Sequence, residues 1–231
     1  MNKDNFLFCI IGLLAGLIIG FMFANSVNQN AVARTPTAVN PNAAMPQNHP
    51  SVDGNSGAMS PQVQAAIDNA KQNPNDFEAQ IKAAEVYYQI QRFEGAIEFL
   101  KQANKLKPDD YETIVNLGNS YFDASQYTEA EKWYSAALAK KPDDINVRTD
   151  LGLTFIFRES PNYDRAIQEF TRSLEKDPNK TQTLQNLTVA YTKKGDAVKA
   201  KETLSRLESL DATNTAIPKL REDIQKLETT K

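Results

Sequence analysis

The sequence contains few side chains of the kind that do chemistry. There is a single histidine, His49, and a single cysteine, Cys9. The one recurring reactive pattern is acidic: Pro-Asp-Asp at 108–110 and again at 142–144. Paired carboxylates of this kind can ligate a divalent cation or share a proton in acid–base work. Their return after 34 residues points elsewhere, to carboxylates at helix N-termini, where the helix dipole favours negative charge. Neither His nor Cys occurs after residue 60, so the usual zinc and iron donor sets are absent from that part of the chain. A thiol nucleophile or a histidine-activated serine is absent for the same reason. Glycine is sparse and no GxGxxG run cradles a phosphate. The expectation is a chain with no catalytic residue, no metal and no cofactor.

Composition narrows the partners. Of 231 residues, 41% are apolar and 24% charged, the balance of a folded protein, and the formal charge is −3. Lys3, Asp4, Arg34 and Asp53 cancel within the first 60 residues, so the remainder also carries −3. Such a surface is a poor platform for a phosphate backbone, which argues against nucleic acid. One cysteine allows no disulfide within the chain.

Three stretches differ in kind. Residues 1–24 are apolar and read as a membrane anchor. Residues 25–59 are rich in Asn, Ala and Pro, and read as a disordered linker that could not bury enough apolar surface to offset the entropy of ordering. From Ser60 onward the pattern is helical and periodic.

Pro74, Pro108, Pro142 and Pro178 are spaced 34, 34 and 36 apart. Other columns keep step: Tyr87, Tyr121, Phe155, Tyr191; Ala96, Ala130, Ala166, Ala200; Leu100, Tyr134, Phe170, Leu204; and Ala84, Gly118, Gly152, where Thr188 breaks the run. The two extra residues of the third unit fall in RESPNYD, where a turn is expected. Apolar residues recur at helical spacing on either side of each turn, so each unit reads as two short antiparallel helices. A small residue suits a close approach of the pair, a large aromatic a place where it splays, and the proline ends the second helix.

These columns resemble the tetratricopeptide repeat. The resemblance implies an all-α superhelical solenoid of about four helix pairs at 77–110, 111–144, 145–180 and 181–214. The second unit matches best, and the fourth has Ala212 where proline is expected. Residues 60–76, with Ser60 as N-cap and Pro61 at the first helical position, read as an N-terminal capping helix, and 215–231 as a C-terminal one. The columns Ala84, Tyr87, Ala96, Pro108, Gly118, Tyr121, Ala130, Pro142, Gly152, Phe155, Ala166, Pro178, Tyr191 and Ala200 are then structural.

In the resembled family the first helix of each repeat lines a groove for a peptide or partner helix. Carried over by position, the groove receives Ile81, Glu85 and Tyr88 from the first unit and Val115, Asn116, Asn119, Phe122 and Asp123 from the second. The third unit adds Thr149, Asp150, Leu153, Ile156 and Phe157, and the fourth Asn186 and Val189. Some members clamp a terminal carboxylate with Lys, Asn, Asn, Lys and Arg. Here those positions hold Ile81, Glu85, Asn116, Asn146 and Asp150, and only Asn116 fits. Amides can pair with peptide backbone as donor and acceptor. With Glu85, Asp123 and Asp150 among them, the expected partner is a protein or peptide segment, neutral to basic, with apolar anchors.

Phe6 to Ala24 runs 19 residues without a charge, roughly 28 Å of helix and close to the thickness of a bilayer's hydrocarbon core. It exceeds the usual apolar region of a secretory signal. It is therefore read as an uncleaved single-pass membrane anchor. Lys3 places the N-terminus in the cytoplasm and the repeats outside it, on the outer face of a bacterial-type inner membrane. Gly12, Gly16 and Gly20 leave a shallow face for packing against another membrane helix, including a second copy. The layout is also similar to the accessory repeat proteins of cytochrome c maturation, which hold an apocytochrome segment. A scaffold of an envelope complex acting through its convex face is a further alternative.

Overall fold

The computed structural model describes residues 60–229. Within them the chain forms ten α-helices and no strand, all in the compact unit that spans residues 59–231. The anchor at 1–24, with Gly12, Gly16 and Gly20, and the linker at 25–59, with His49, lie outside the described residues.

In chain order the helices are α1 (Pro61–Gln72), α2 (Phe77–Gln89), α3 (Phe93–Leu106), α4 (Tyr111–Asp123) and α5 (Tyr127–Lys140). They continue with α6 (Ile145–Phe157), α7 (Tyr163–Lys176), α8 (Thr181–Lys194), α9 (Ala197–Leu210) and α10 (Ile217–Thr229). Each packs on its neighbours in sequence, and α8 additionally meets α6 and α10. That is a stack in chain order, with α2–α3, α4–α5, α6–α7 and α8–α9 as its pairs. Ser60 caps α1 through the amide of Val63, and Ile67 and Ala70 bury its apolar face. At the other end Ile217, Leu220 and Ile224 are buried by α10.

Helix starts follow the acidic motif. Asp76, Asp110 and Asp144 accept backbone N–H groups of α2, α4 and α6. Each satisfies donors that the first turn leaves orphaned. The preceding aspartates bind the next unit's second helix instead: Asp109 pairs with Lys140 at 2.5 Å and Asp143 with Lys176 at 2.6 Å. The fourth unit has Lys180 at this place, and no side chain caps α8.

The columns pack differently from the expectation in one respect. Large aromatics do not mark a splay; they sit directly on the small residues. A Cβ added to Gly118 would lie 2.6 Å from the Tyr134 ring, and one added to Gly152 2.4 Å from the Phe170 ring. The ring fills the space that the missing side chain leaves, so the pair interlocks at interior density. Ala96, Ala130, Ala166 and Ala200 are all fully buried at 0% exposure, so no larger side chain fits at that column. Thr188, which breaks the small-residue column, is equally buried; its hydroxyl bonds to Leu184 O and to Thr203 Oγ1 at 3.0 Å. A hydroxyl pair replaces the ring-on-glycine contact there.

The turns inside the units share one device. Gln91, Ser125 and Gly195 have φ of 58°, 59° and 88°. This left-handed residue reverses the chain so that the next amide reaches back: Arg92 N to Tyr87 O, Gln126 N to Tyr121 O, Asp196 N to Tyr191 O. The third unit makes the equivalent bond from Asn162 N to Phe155 O with two more residues in the loop, and no left-handed residue is needed.

Candidate partner-binding face

The first helices of the units, α2, α4, α6 and α8, place equivalent positions in four consecutive rows. One row holds Lys82, Asn116, Asp150 and Asn186. Another holds Glu85, Asn119, Leu153 and Val189. Ile81, Val115, Leu153 and Val189 are half-buried, which leaves apolar surface on this side of the stack. Glu85 pairs with Lys82 at 3.1 Å, an exposed contact of small energetic weight.

Several positions expected in the groove are committed to the fold. Phe122 is buried, edge-on to Tyr127 and Phe157 at 5.3 and 5.9 Å, and Tyr127 stacks on Phe157 at 6.0 Å. Phe122 therefore belongs to an aromatic cluster, with Phe157 as its half-buried rim. Ile156 is buried as well. Thr149 is interior: its hydroxyl bonds Ser173 Oγ at 3.0 Å, Thr183 Oγ1 at 2.8 Å and Ile145 O at 2.8 Å. Asn119 is half-buried, and its Oδ1 accepts the buried hydroxyl of Tyr134 at 2.9 Å. Half of its amide is thus used. Helical periodicity could not reveal these commitments, because each depends on a residue in another helix.

Tyr88 donates its hydroxyl hydrogen bond to Asp123 of the next unit, and the ring packs edge-on to Phe93 at 5.4 Å. Burial, with the negative charge of Asp123 and the hydrogen bond to it, pushes the Tyr88 hydroxyl well above the ordinary phenol range. Burial also raises Asp123, partly offset by the Tyr88 bond. Asp150 is pushed up to about 7, first by desolvation and then by Asp144 and Asp123, with Lys180 opposing. The residue is half-buried, and its carboxyl makes no hydrogen bond or ion pair. In the next unit Asn186 Nδ2 is buried without a hydrogen-bond partner. The row Asn116–Asp150–Asn186 therefore carries unspent polar groups on the apolar-flanked side of the stack. Chemically the face can accept positive charge, exchange amide hydrogen bonds and bury aliphatic groups. Among the described residues no three His, Cys, Asp or Glu side chains converge as a metal site.

Comparison with known proteins agrees with this architecture. One tetratricopeptide repeat family model matches residues 91–151 and 158–224, and a second matches 61–111. The chain belongs to the tetratricopeptide repeat family. No curated protein matches the sequence. Among solved structures, a MamA crystal structure is 23% identical with a TM-score of 0.59, covering 65% of this chain and 86% of MamA. MamA from residue 41 onward, from Desulfovibrio magneticus RS-1, gives 18% identity and a TM-score of 0.57 over 68% of this chain and 99% of that one. YrrB, a TPR protein with an unusual peptide-binding site, gives 18% and 0.61 over 69% and 81%. At these identities the likeness is one of fold. Tetratricopeptide repeats are protein-interaction scaffolds, and the residues of the row described above are this chain's own.

Proposed function

We propose that this tetratricopeptide repeat protein receives an extended, neutral-to-basic protein segment along α2, α4, α6 and α8, and that residues 6–24 anchor it in a membrane. The observation that carries the reading is the row Asn116, Asp150 and Asn186, in which a carboxylate and an amide donor lack internal partners. Buried polar groups without partners cost stability, so a face that keeps them is suited to a ligand that completes them. The half-buried Ile81, Val115, Leu153 and Val189 supply apolar anchoring beside that row. YrrB, with its peptide-binding site on the same fold, is a precedent for the ligand class. No helix among the described residues is long and apolar enough to cross a membrane, so the anchor rests on the uncharged run from Phe6 to Ala24. An anchor would hold the face near the bilayer and raise its effective concentration for membrane-bound partners.

Site-specific photo-crosslinking in native membranes tests the reading. A crosslinker at Asn116 or Val189 is expected to capture a discrete partner. One at the exposed Glu98 or Lys132, on second helices, is not. Capture only from the second helices would favour scaffolding through the opposite face. Extraction of the full chain by salt or alkaline wash, without detergent, would remove the anchor from the proposal.

A further inference from the structure

Asp123 and Asp150 are carboxylates on this face that burial drives toward the neutral form. Asp123 is relieved by the Tyr88 hydroxyl. Asp150 has no such relief. The groups acting on it are Asp144 from the start of α6, Asp123 from α4 and Lys180 from the turn before α8. Asp150 acts in turn on Tyr88 of α2 and Tyr134 of α5. From α7, Glu169 is already held by Arg148 at 2.9 Å. A negative centre thus sits between three units with one opposing cation, Lys180. One unit further on, at the equivalent position, Asn186 Nδ2 is a buried donor with nothing to donate to.

A carboxylate without a donor and an amide without an acceptor, in adjoining units, ask for a ligand that brings both. A water molecule brings a donor and an acceptor but no charge to offset a buried carboxylate, and among the described residues no three His, Cys, Asp or Glu side chains converge to hold a metal ion. One Lys or Arg residue of a peptide does bring both: its side chain donates charged N–H groups and its main-chain carbonyl accepts. We propose that Asp150, with Asp123 and Tyr88 beside it, is the seat for a single Lys or Arg side chain of the bound segment, and that Asn186 donates to that segment's main-chain carbonyl. The proposal rests on the reading of this face as a peptide receptor and adds which side chain is selected and where it sits. Filling the seat converts Asp150 to its charged form, so binding releases a proton. No histidine lies beyond residue 60, and Asp150, pushed up to about 7, is the group that governs binding near neutrality.

The test uses the full chain in detergent and short blocked, dye-labelled Ala/Leu peptides with a central Arg, Lys, norleucine or Glu, read by fluorescence anisotropy. The Arg and Lys peptides are expected to bind about tenfold or more tighter than norleucine, and the Glu peptide weakest. The Arg preference should grow from about pH 6 to about pH 8 while norleucine binding stays level. Asp150→Asn should remove the preference for Arg and Lys over norleucine and its pH dependence. The wild-type peptide comparison needs no variant, so it stands even if a substitution impairs folding. Equal affinity for Arg and norleucine, or an Arg preference that survives Asp150→Asn, overturns the seat and leaves the face a peptide receptor. Failure of every peptide to bind overturns both.

Discussion

The contact between paired helices and the open side of the first helices are built on opposite terms. Between the helices, rings fill the space over Gly118 and Gly152, four alanines are fully excluded from water, and the hydroxyls of Thr149, Thr183, Thr188 and Thr203 are all bonded. Ser120 Oγ and Asn104 Oδ1 lack partners, as the neutral Asn186 Nδ2 does on the open side, so the difference between the regions lies in the carboxylate of Asp150. On the open side a carboxylate is desolvated without a donor, and a buried amide is left over. The first region is arranged for stability. The second keeps groups that weaken the isolated fold, as the proposed peptide receptor requires. The contrast implies that substitutions in the two regions change stability in opposite directions.

The largest effect is expected at Gly118. Gly118→Val drives methyl groups into the Tyr134 ring, which is buried and held by Asn119, so the ring has nowhere to go. Urea or thermal unfolding should show a loss of about 3 kcal/mol. A negligible loss would mean that the interlocked core is softer than its geometry.

Asp150→Asn should act the other way. The folded-state pKa of about 7 stands above the ordinary 3.8, so the native protein holds this proton longer than the unfolded chain does. Stability tied to Asp150 is therefore greatest at low pH and falls as pH rises through the interval between those values. Removing the charge is expected to stabilise the protein by about 2 kcal/mol at about pH 8, with no gain near pH 4. Destabilisation at pH 8 would show that the carboxylate has a structural partner, and the contrast between the regions would fail.

Thr188→Val keeps the volume and removes the hydroxyl. Thr203 retains the carbonyls of Lys199 and Ala200 as acceptors, so nothing is orphaned. A cost of about 1 kcal/mol is expected, well under that of Gly118→Val. The smallest effect lies outside both regions: Gln91, at φ 58°, should gain about 0.5–1 kcal/mol on change to Gly, as measured by the shift in unfolding midpoint.

The repeat was legible in the residues because its causes are local or periodic. Alternating faces, a proline after the second helix and an aspartate before the first helix of each of the first three units recur at nearly fixed spacing, and each acts within a few residues of itself. The caps at Ser60, Asp76, Asp110 and Asp144, the inserted turn after Phe157 and both terminal helices follow from such signals. The rows of the open face could also be laid out by position. Which of their members are free could not. Phe122 lies on the same helix as Val115 and Thr149 on the same helix as Asp150, yet Phe122 is closed over by Tyr127 and Phe157 and Thr149 is bonded to Ser173 and Thr183. Likewise, nothing in the string of letters marks Asp150 as the carboxylate that loses its water and gains no donor. Burial and hydrogen bonding are properties of pairs far apart in the chain, so only the stacked helices decide them, whereas periodicity belongs to the sequence itself.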